Sequence, residues 1–378
     1  MSVILTATIS ILFYGGANIY IAQRLYRWFC LVFPRINFAL YAVIYLLLVF
    51  SIVLGFLPIR SGVKKVVNVI SGYWLGVFLY LLIFCLAADC IVLLGSLIKV
   101  IPRPLPQSVV FYRGLAALVM TAGLIIYGRY NATQIRFVDY DVSIEGKALS
   151  EDVRVVLISD LHLGAVNSES NLARVVKCIN TLEPDIVCIA GDIFNGDFGA
   201  LSNPSRLIDL FLEIKATYGV YATLGNHDAG RTFGEMVHFL SQCDIRLLND
   251  EYETVDGRLI LAGRVDPSPI GGFGDVRRAD TSVVFADLST DLPVIVMEHN
   301  PDCIGQYASE VDLLLAGHTH KGQVFPGGLI TRAVFDVDYG HFQRDISSPH
   351  IIVTSGAGTW GTPLRIGSSS EIVSIRLH

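Results

Sequence analysis

VRVVLISDLHLG, residues 153–164, joins a short run of β-branched and aliphatic residues to a turn that carries Asp160 and His162. The run reads as a buried strand, and its end offers two metal-binding side chains two positions apart. The same construction returns four more times: DIVCIAGD (185–192) delivers Asp192, VYATLGNHD (220–228) delivers Asn226 and His227, LPVIVMEHN (292–300) delivers His299, and VDLLLAGHTH (311–320) delivers His318 and His320. Between these runs, NLARVVKCINTL (171–182), SRLIDLFLEIKATY (205–218) and FGEMVHFLSQC (233–243) repeat their apolar residues at helical spacing. Strands alternating with helices predict an α/β layered domain.

In such sheets, ligands gather beyond the carboxyl ends of the strands. Residues two apart in an extended segment face the same way, so each strand end can send its donors into one pocket. A single strand-end Asp has a plain explanation as the cap of a following helix. Five donor-bearing ends in series do not, and five of the nine histidines fall within them. The donors are carboxylate, amide oxygen and imidazole without thiolate, a set that suits manganese, iron, zinc or nickel. Two carboxylates and four imidazoles exceed the needs of one ion and suit two ions sharing a carboxylate. Two ions roughly 3.5 to 4 Å apart activate a water and hold the oxygens of a phosphoryl centre, so the expected chemistry is hydrolysis of a phosphate ester or anhydride.

The front of the chain has a different character. A mean hydropathy of +0.54 with only 16% charged residues excludes one ordinary soluble domain. Up to residue 130 there are ten bases and one acid, net +9, while the remainder carries a net −15. Four apolar stretches, near 3–22, 37–57, 74–98 and 108–128, each approach the ~20 residues a membrane-crossing helix needs. The expected organisation is a four-helix transmembrane region over 1–130, a linker and first exposed strand over 131–152, and a catalytic domain over 153–378. The first stretch has no basic residue before it and no clean cleavage site, so it is expected to be retained. Asp89, the lone acid of this region, is expected to face the bundle interior and bond Asn18 or a tyrosine; it is also the one residue that would support a transporter. The seven cysteines have no disulfide spacing. The acidic charge of the second part argues against a nucleic-acid groove.

The series D-x-H (Asp160, His162), G-D (Gly191, Asp192), G-N-H-D (Gly225 to Asp228), a lone His299 and G-H-x-H (Gly317 to His320) resembles the calcineurin-like metallophosphoesterase superfamily, from Arg154 onward. The closing GAGTWGTPLRIGSSSEIVSI (356–375) resembles its membrane-associated branch, which includes the transmembrane metallophosphoesterase-domain proteins. The resemblance implies a four-layer α/β/β/α sandwich and two divalent ions, with manganese the first choice and iron, zinc or nickel the others. It implies that Asp160, His162 and His320 hold one ion, that Asn226, His299 and His318 hold the other, and that Asp192 bridges them. His227 would contact the phosphate and protonate the leaving oxygen, with Asp228 orienting it. Many members carry a second acid in the turn after G-D, where this chain has Asn195 and then Asp197. Lys321 and Arg365 could meet substrate phosphate but read as solvated turn charges, and GRVDPSPIGGFGD (263–275) reads as a rim loop.

The expected protein is a membrane-anchored phosphoesterase acting on a phosphate ester or pyrophosphate, with a lipid-linked or membrane-proximal substrate favoured by the anchor. The competing expectation is a catalytically inactive membrane scaffold or binding module that kept the fold. The catalytic domain is expected on the extracytoplasmic side of the cell membrane. The bases flanking the two sides are nearly balanced, with Arg24, Arg27, Arg35, Lys99, Arg103 and Arg113 against Arg60, Lys64, Lys65, Arg129 and Arg136, but the N-terminus carries none.

Overall fold

Helices α1 (Ser2–Val32), α2 (Phe38–Leu54), α3 (Ser61–Leu97) and α4 (Gln107–Thr133) follow one another before the first strand begins at Ile135. The computed structural model describes residues 2–55, 57, 61–144, 146–147, 149, 151–288, 291–307 and 310–378, and Arg60 lies outside them. The chain divides into two compact units, Met1–Gly128 and Arg129–His378.

The first unit exposes large apolar side chains and buries a few polar ones within an apolar interior. Ile11 and Leu12 are 71% and 70% exposed, whereas Asn18, Tyr45 and Trp74 are buried. Tyr45 donates to the Asn18 carbonyl at 3.0 Å and lies 3.1 Å from its Oδ1. Among the described residues, two helices, Gly62–Leu97 and Gln107–Thr133, are long and apolar enough to cross a membrane, while α2 is apolar but shorter. The expectation of four spans is therefore met plainly by two. Helix α3 also begins well before the apolar stretch at 74, because Ser61–Ser71 contains no proline and continues the helix with Lys64 and Lys65 in it. Asp89 does face the interior, but not toward Asn18. Tyr20 donates to it at 2.8 Å, and the guanidinium groups of Arg24 and Arg113 pair with it at 2.5 and 2.8 Å. Two arginines counted as loop charges thus neutralise the lone acid and tie α1, α3 and α4 together.

The second unit is built on two six-stranded sheets. The first runs in the order β1 (Ile135–Val142), β12 (Ser370–Leu377), β2 (Val153–Ile158), β3 (Ile186–Ala190), β4 (Val220–Thr223), β5 (Ile245–Leu247). The second runs β10 (Gly340–Phe342), β11 (His350–Val353), β9 (Leu313–Ala316), β8 (Val294–Met297), β7 (Leu259–Gly263), β6 (Glu251–Val255). Strands β2 to β5 are mutually parallel, as are β7, β8, β9 and β11. The alternation of side chains sorts the core into layers. Val155, Leu157, Cys188, Leu261, Ile295 and Leu315 fill the space between the sheets. Val156, Ile158, Val187 and Ile189 turn the other way, toward the helices.

Helices α5 (Glu169–Thr181), α6 (Pro204–Leu212) and α7 (Phe233–Ser241) cover the outer face of the first sheet. Helix α5 buries Leu172, Val175, Val176 and Ile179, each worth about 1.5–3 kcal/mol of transfer from water. Helix α6 stops at Leu212, short of its apolar pattern, because the Asn180 side chain captures the backbone of Glu213 and Lys215 at 2.8 Å each. The outer face of the second sheet is covered thinly, by the four-residue α8 (Thr281–Val284), a 3-10 turn over Pro301–Gln306, and the side chains of Phe285, Leu288, Tyr307, Val311 and Val337. Among the described residues the fourth layer of the expected α/β/β/α sandwich is made of short turns. Helix α9 (Gly327–Val334) follows β9.

Candidate metal centre

All five donor-bearing loops leave the carboxyl ends of parallel strands: β2, β3 and β4 of the first sheet and β8 and β9 of the second. Each loop must turn sharply to aim its side chains between the sheets. Asp160, His162, Asp192, His318 and His320 all adopt positive φ, from 45° to 71°, a region tolerated best after glycine by Asn, Asp and His. Gly317 permits one close approach. A Cβ there would collide with the Ser159 hydroxyl and lie 2.6 Å from Asp160 Oδ2, so no larger residue fits between β9 and the β2 loop.

Two donor groups result, in each of which the candidate ligand atoms lie within 4.8 Å of one another: Asp160, His162 and His320, and Asp192, His299 and His318. In the first, the two Nε2 atoms of His162 and His320 face each other at 3.1 Å, with Asp160 Oδ1 at 3.8 and 3.4 Å. In the second, His299 Nε2 lies 3.3 Å from Asp192 Oδ2 and 3.3 Å from Asn226 Oδ1, and His318 Nδ1 lies 3.0 Å from the same amide oxygen. Asp192 Oδ2 also stands 3.6 Å from His162 Nε2, so one carboxylate adjoins both groups. Its other oxygen accepts the His227 amide at 2.8 Å, which fixes its orientation.

The donor set fits cations. His299 Nδ1 lies 2.8 Å from the Ala190 carbonyl, an acceptor only, so Nδ1 carries the proton and Nε2 turns its lone pair inward. Burial holds His162 down at about 3 and His318 at about 4, leaving both imidazoles neutral and free to donate lone pairs. Burial would lower His299 too, but Asp192, Asp160 and Asp266 together lift it well above its usual value. The same carboxylates would favour a cation beside His299. His162 Nε2 and His320 Nε2, 3.1 Å apart, are close enough to serve one cation together.

The surrounding residues correct several expectations. Asp228 does not reach toward His227. Its carboxylate is fully buried and accepts three backbone amides, those of Phe194 at 2.7 Å, Gly225 at 2.9 Å and Ile193 at 3.2 Å. It therefore laces the Asp192 loop to the Asn226 loop. The His227 ring is partly exposed and stands 5.1 Å from the His162 ring and 5.6 Å from that of Trp360, with burial lowering its pKa. Arg365 is not a surface charge: it is 0% exposed and donates to the carbonyls of His320 at 3.2 Å, Gly356 at 3.1 Å and Gly358 at 2.7 Å. Its place between Leu364 and Ile366 was the available signal of burial. Lys321 lays its ammonium over the Tyr339 ring at 3.7 Å. Asp197 caps a short turn by accepting the Gly199 amide at 3.0 Å.

Asp266, inside the supposed rim loop, is a residue the sequence did not single out. It is 1% exposed, its Oδ2 has no hydrogen-bond partner among the described residues, and its charge acts on both His299 and His227. Its loop is strapped to the Asn226 loop by the Ile270 amide on the Asn226 carbonyl at 2.9 Å and the Gly230 amide on the Gly272 carbonyl at 2.8 Å.

Known proteins share this arrangement of sequence. A family model described as calcineurin-like phosphoesterase matches residues 153–322. A zebrafish (Danio rerio) transmembrane protein with metallophosphoesterase domain is 31% identical over 330 residues, covering 82% of this chain and 73% of that one. Uncharacterized metallophosphoesterases of Aquifex aeolicus and Campylobacter jejuni are 29% and 30% identical, covering 67% and 70% of this chain and 97% and 69% of theirs. With relatives this similar along most of their length, and with paired donor groups suited to the divalent ions such enzymes use, the chain belongs to the calcineurin-like metallophosphoesterases, in their membrane-associated branch, and is a hydrolase of phosphoric esters.

Proposed function

We propose that the protein is a membrane-anchored dinuclear phosphoesterase that cleaves a phosphate ester or pyrophosphate of a lipid-linked or membrane-proximal substrate. The observation that carries this reading is the placement of Asp192 between two convergent donor groups. Asp160, His162 and His320 would hold one ion, Asn226, His299 and His318 the other, and Asp192 both. Manganese suits the oxygen and imidazole set best, with iron, zinc and nickel as alternatives. The bound ions would supply positive charge to the phosphoryl oxygens and lower the pKa of a water. The chain's own part is to hold that geometry and to handle the proton of the departing oxygen. His227, at the edge of the pocket beside the bridging carboxylate, is the group positioned to give that proton.

The many large apolar side chains that the first unit exposes support four membrane spans, α1 to α4, since a water-facing bundle would present polar groups there. The catalytic unit is proposed to face outward, on the ground that the first twenty-three residues contain no basic side chain. Full-length protein in phospholipid nanodiscs, loaded in turn with manganese, iron, zinc or nickel, should bind two ions per chain and hydrolyse lipid phosphate esters or pyrophosphates. It should also cleave a soluble chromogenic phosphodiester. Hydrolysis of the soluble ester with no activity on any membrane-borne phosphate would remove the lipid-linked substrate, and one ion in a fully active preparation would remove the dinuclear site.

A further inference from the structure

Helix α9 wears its apolar side outward. Leu329, Ile330 and Val334 are 59%, 64% and 61% exposed, and no residue of the helix is buried. At about 100° per residue, Leu329, Ile330, Ala333 and Val334 share one arc. Thr331 lies on the opposite side and donates to the Asp338 carboxylate at 3.0 Å. A helix resting on a soluble domain shows the reverse pattern, and a contiguous outward apolar arc marks an interaction face. The helix contains no acid, and Arg332 is exposed at the edge of the arc.

Its attachments say what covers it. Upstream of α9, Val324 bridges to Ile366 and Gly367, and the Phe325 amide donates to the Ile366 carbonyl at 2.7 Å. The same segment, Arg365 to Ser370, receives the last turn of α4. Asn131 donates to the carbonyls of Arg365 and Ser368 at 3.0 and 2.8 Å, and Ser370 donates to the Ala132 carbonyl at 3.2 Å. Helix α4 is one of the two long enough to cross a membrane. Downstream of α9, the Phe335 ring meets the His318 ring edge-on at 5.9 Å. Helix α9 thus runs between the place where a membrane-crossing helix ends and the rim of the metal centre.

We infer that α9 is an interfacial helix whose partner is the lipid bilayer. Leu329, Ile330 and Val334 enter the acyl-chain boundary, and Arg332 meets lipid phosphate. An apolar arc with a flanking base is the composition that lies in a membrane surface. Docked in this way, the helix sets the His318 side of the metal centre at headgroup depth, where the phosphate of a membrane lipid resides. The inference rests on α4 being a membrane span, and it gives the proposed lipid-linked substrate its route of entry.

The test uses full-length protein in vesicles of phosphatidylcholine and phosphatidylglycerol (3:1) doped with a phosphatidylcholine bearing a diazirine in its acyl chain. After photolysis, peptides are mapped by mass spectrometry. Lipid adducts are expected on the peptide containing Leu329 to Val334 as well as on α3. Replacing Leu329→Glu and Ile330→Glu together should lower the α9 adducts by about tenfold, the order expected for two partly buried aliphatic side chains, with α3 adducts unchanged. Hydrolysis of a soluble chromogenic phosphodiester by that variant should stay at the parent level, which shows that it is folded. Adducts on α3 and α4 without any on α9 would overturn the docked helix. Absence from all three would overturn the membrane-span reading together with it. Adducts on α9 in a protein that hydrolyses no lipid phosphate would support the docking and remove only the substrate class.

Discussion

Replacing Asp228 with Asn separates two accounts of this residue. If Asp228 laces the ligand loops, the variant keeps the shape but loses charge and acceptor capacity. One of its two terminal atoms becomes an NH2 group that confronts either the Phe194 amide or the pair from Gly225 and Ile193. A hydrogen bond to a charged acceptor contributes about 1.5–3 kcal/mol, and a buried donor left unpaired costs about as much again as a neutral bond, so a loss of roughly 3 kcal/mol is expected. At about 2–4 °C per kcal/mol for a unit of this size, the metal-free protein should melt on the order of 10 °C lower. The amides in question belong to the loops that present Asp192 and Asn226, so metal affinity should fall by about 10- to 100-fold, the usual effect of disturbing groups that orient ligands. The assay pairs thermal melts of chelated protein in nanodiscs with metal titration followed by elemental analysis. A variant that melts like the parent and binds both ions with parent affinity, yet turns over slowly, would refute the lacing role and restore Asp228 as the orienter of His227.

Asp192→Ala should remove the carboxylate adjoining both donor groups, and elemental analysis should find neither ion retained after dialysis; two ions per chain would refute the shared ligand. His227→Ala should keep both ions while slowing turnover by about 10² to 10⁴, with a smaller effect on a nitrophenyl ester whose leaving group needs no proton. Because burial lowers the pKa of His227 and the acid form is the active one, turnover on alkyl esters should fall as pH rises through a value below the ordinary histidine range. A variant that retains this limb would exclude the acid role. An impermeant protease on intact cells should cut within residues 140–378 if the catalytic unit faces outward, and complete protection until lysis would place it inside.

The donor residues were legible because each sits at a sharp local event: an apolar run ending in a polar turn fixes a strand and its direction within a few residues. Gly191, Gly225 and Gly317 were part of that signal, since the backbone must pass within contact of another ligand loop at each. What depends on partners distant in sequence was not legible. The Asp228 carboxylate beside His227 looks like an orienter until three amides from elsewhere claim it. Arg365 looks like a turn charge until Gly356, Gly358 and His320 surround it. Asp89 looked isolated because Arg24 and Arg113 were assigned to loops rather than to the helices that bring them to it. The apolar residues of α9 have the spacing of a core helix, and only the folded chain turns them outward.

Strand β12 lies between β1 and β2, pairing parallel with Ile135–Val142 and antiparallel with Val153–Leu157. The sheet therefore cannot close in the order in which the chain is made. Every ligand loop leaves the ribosome before the strand that completes the platform beneath Asp160, while β1 waits with no neighbour of its own. Residues 370–377 enter between two segments made more than two hundred residues earlier, and only then does Ile135–Val142 gain its neighbour in the sheet. A ribosome stalled upstream of β12 would release a chain whose first sheet lacks the strand that joins β1 to β2.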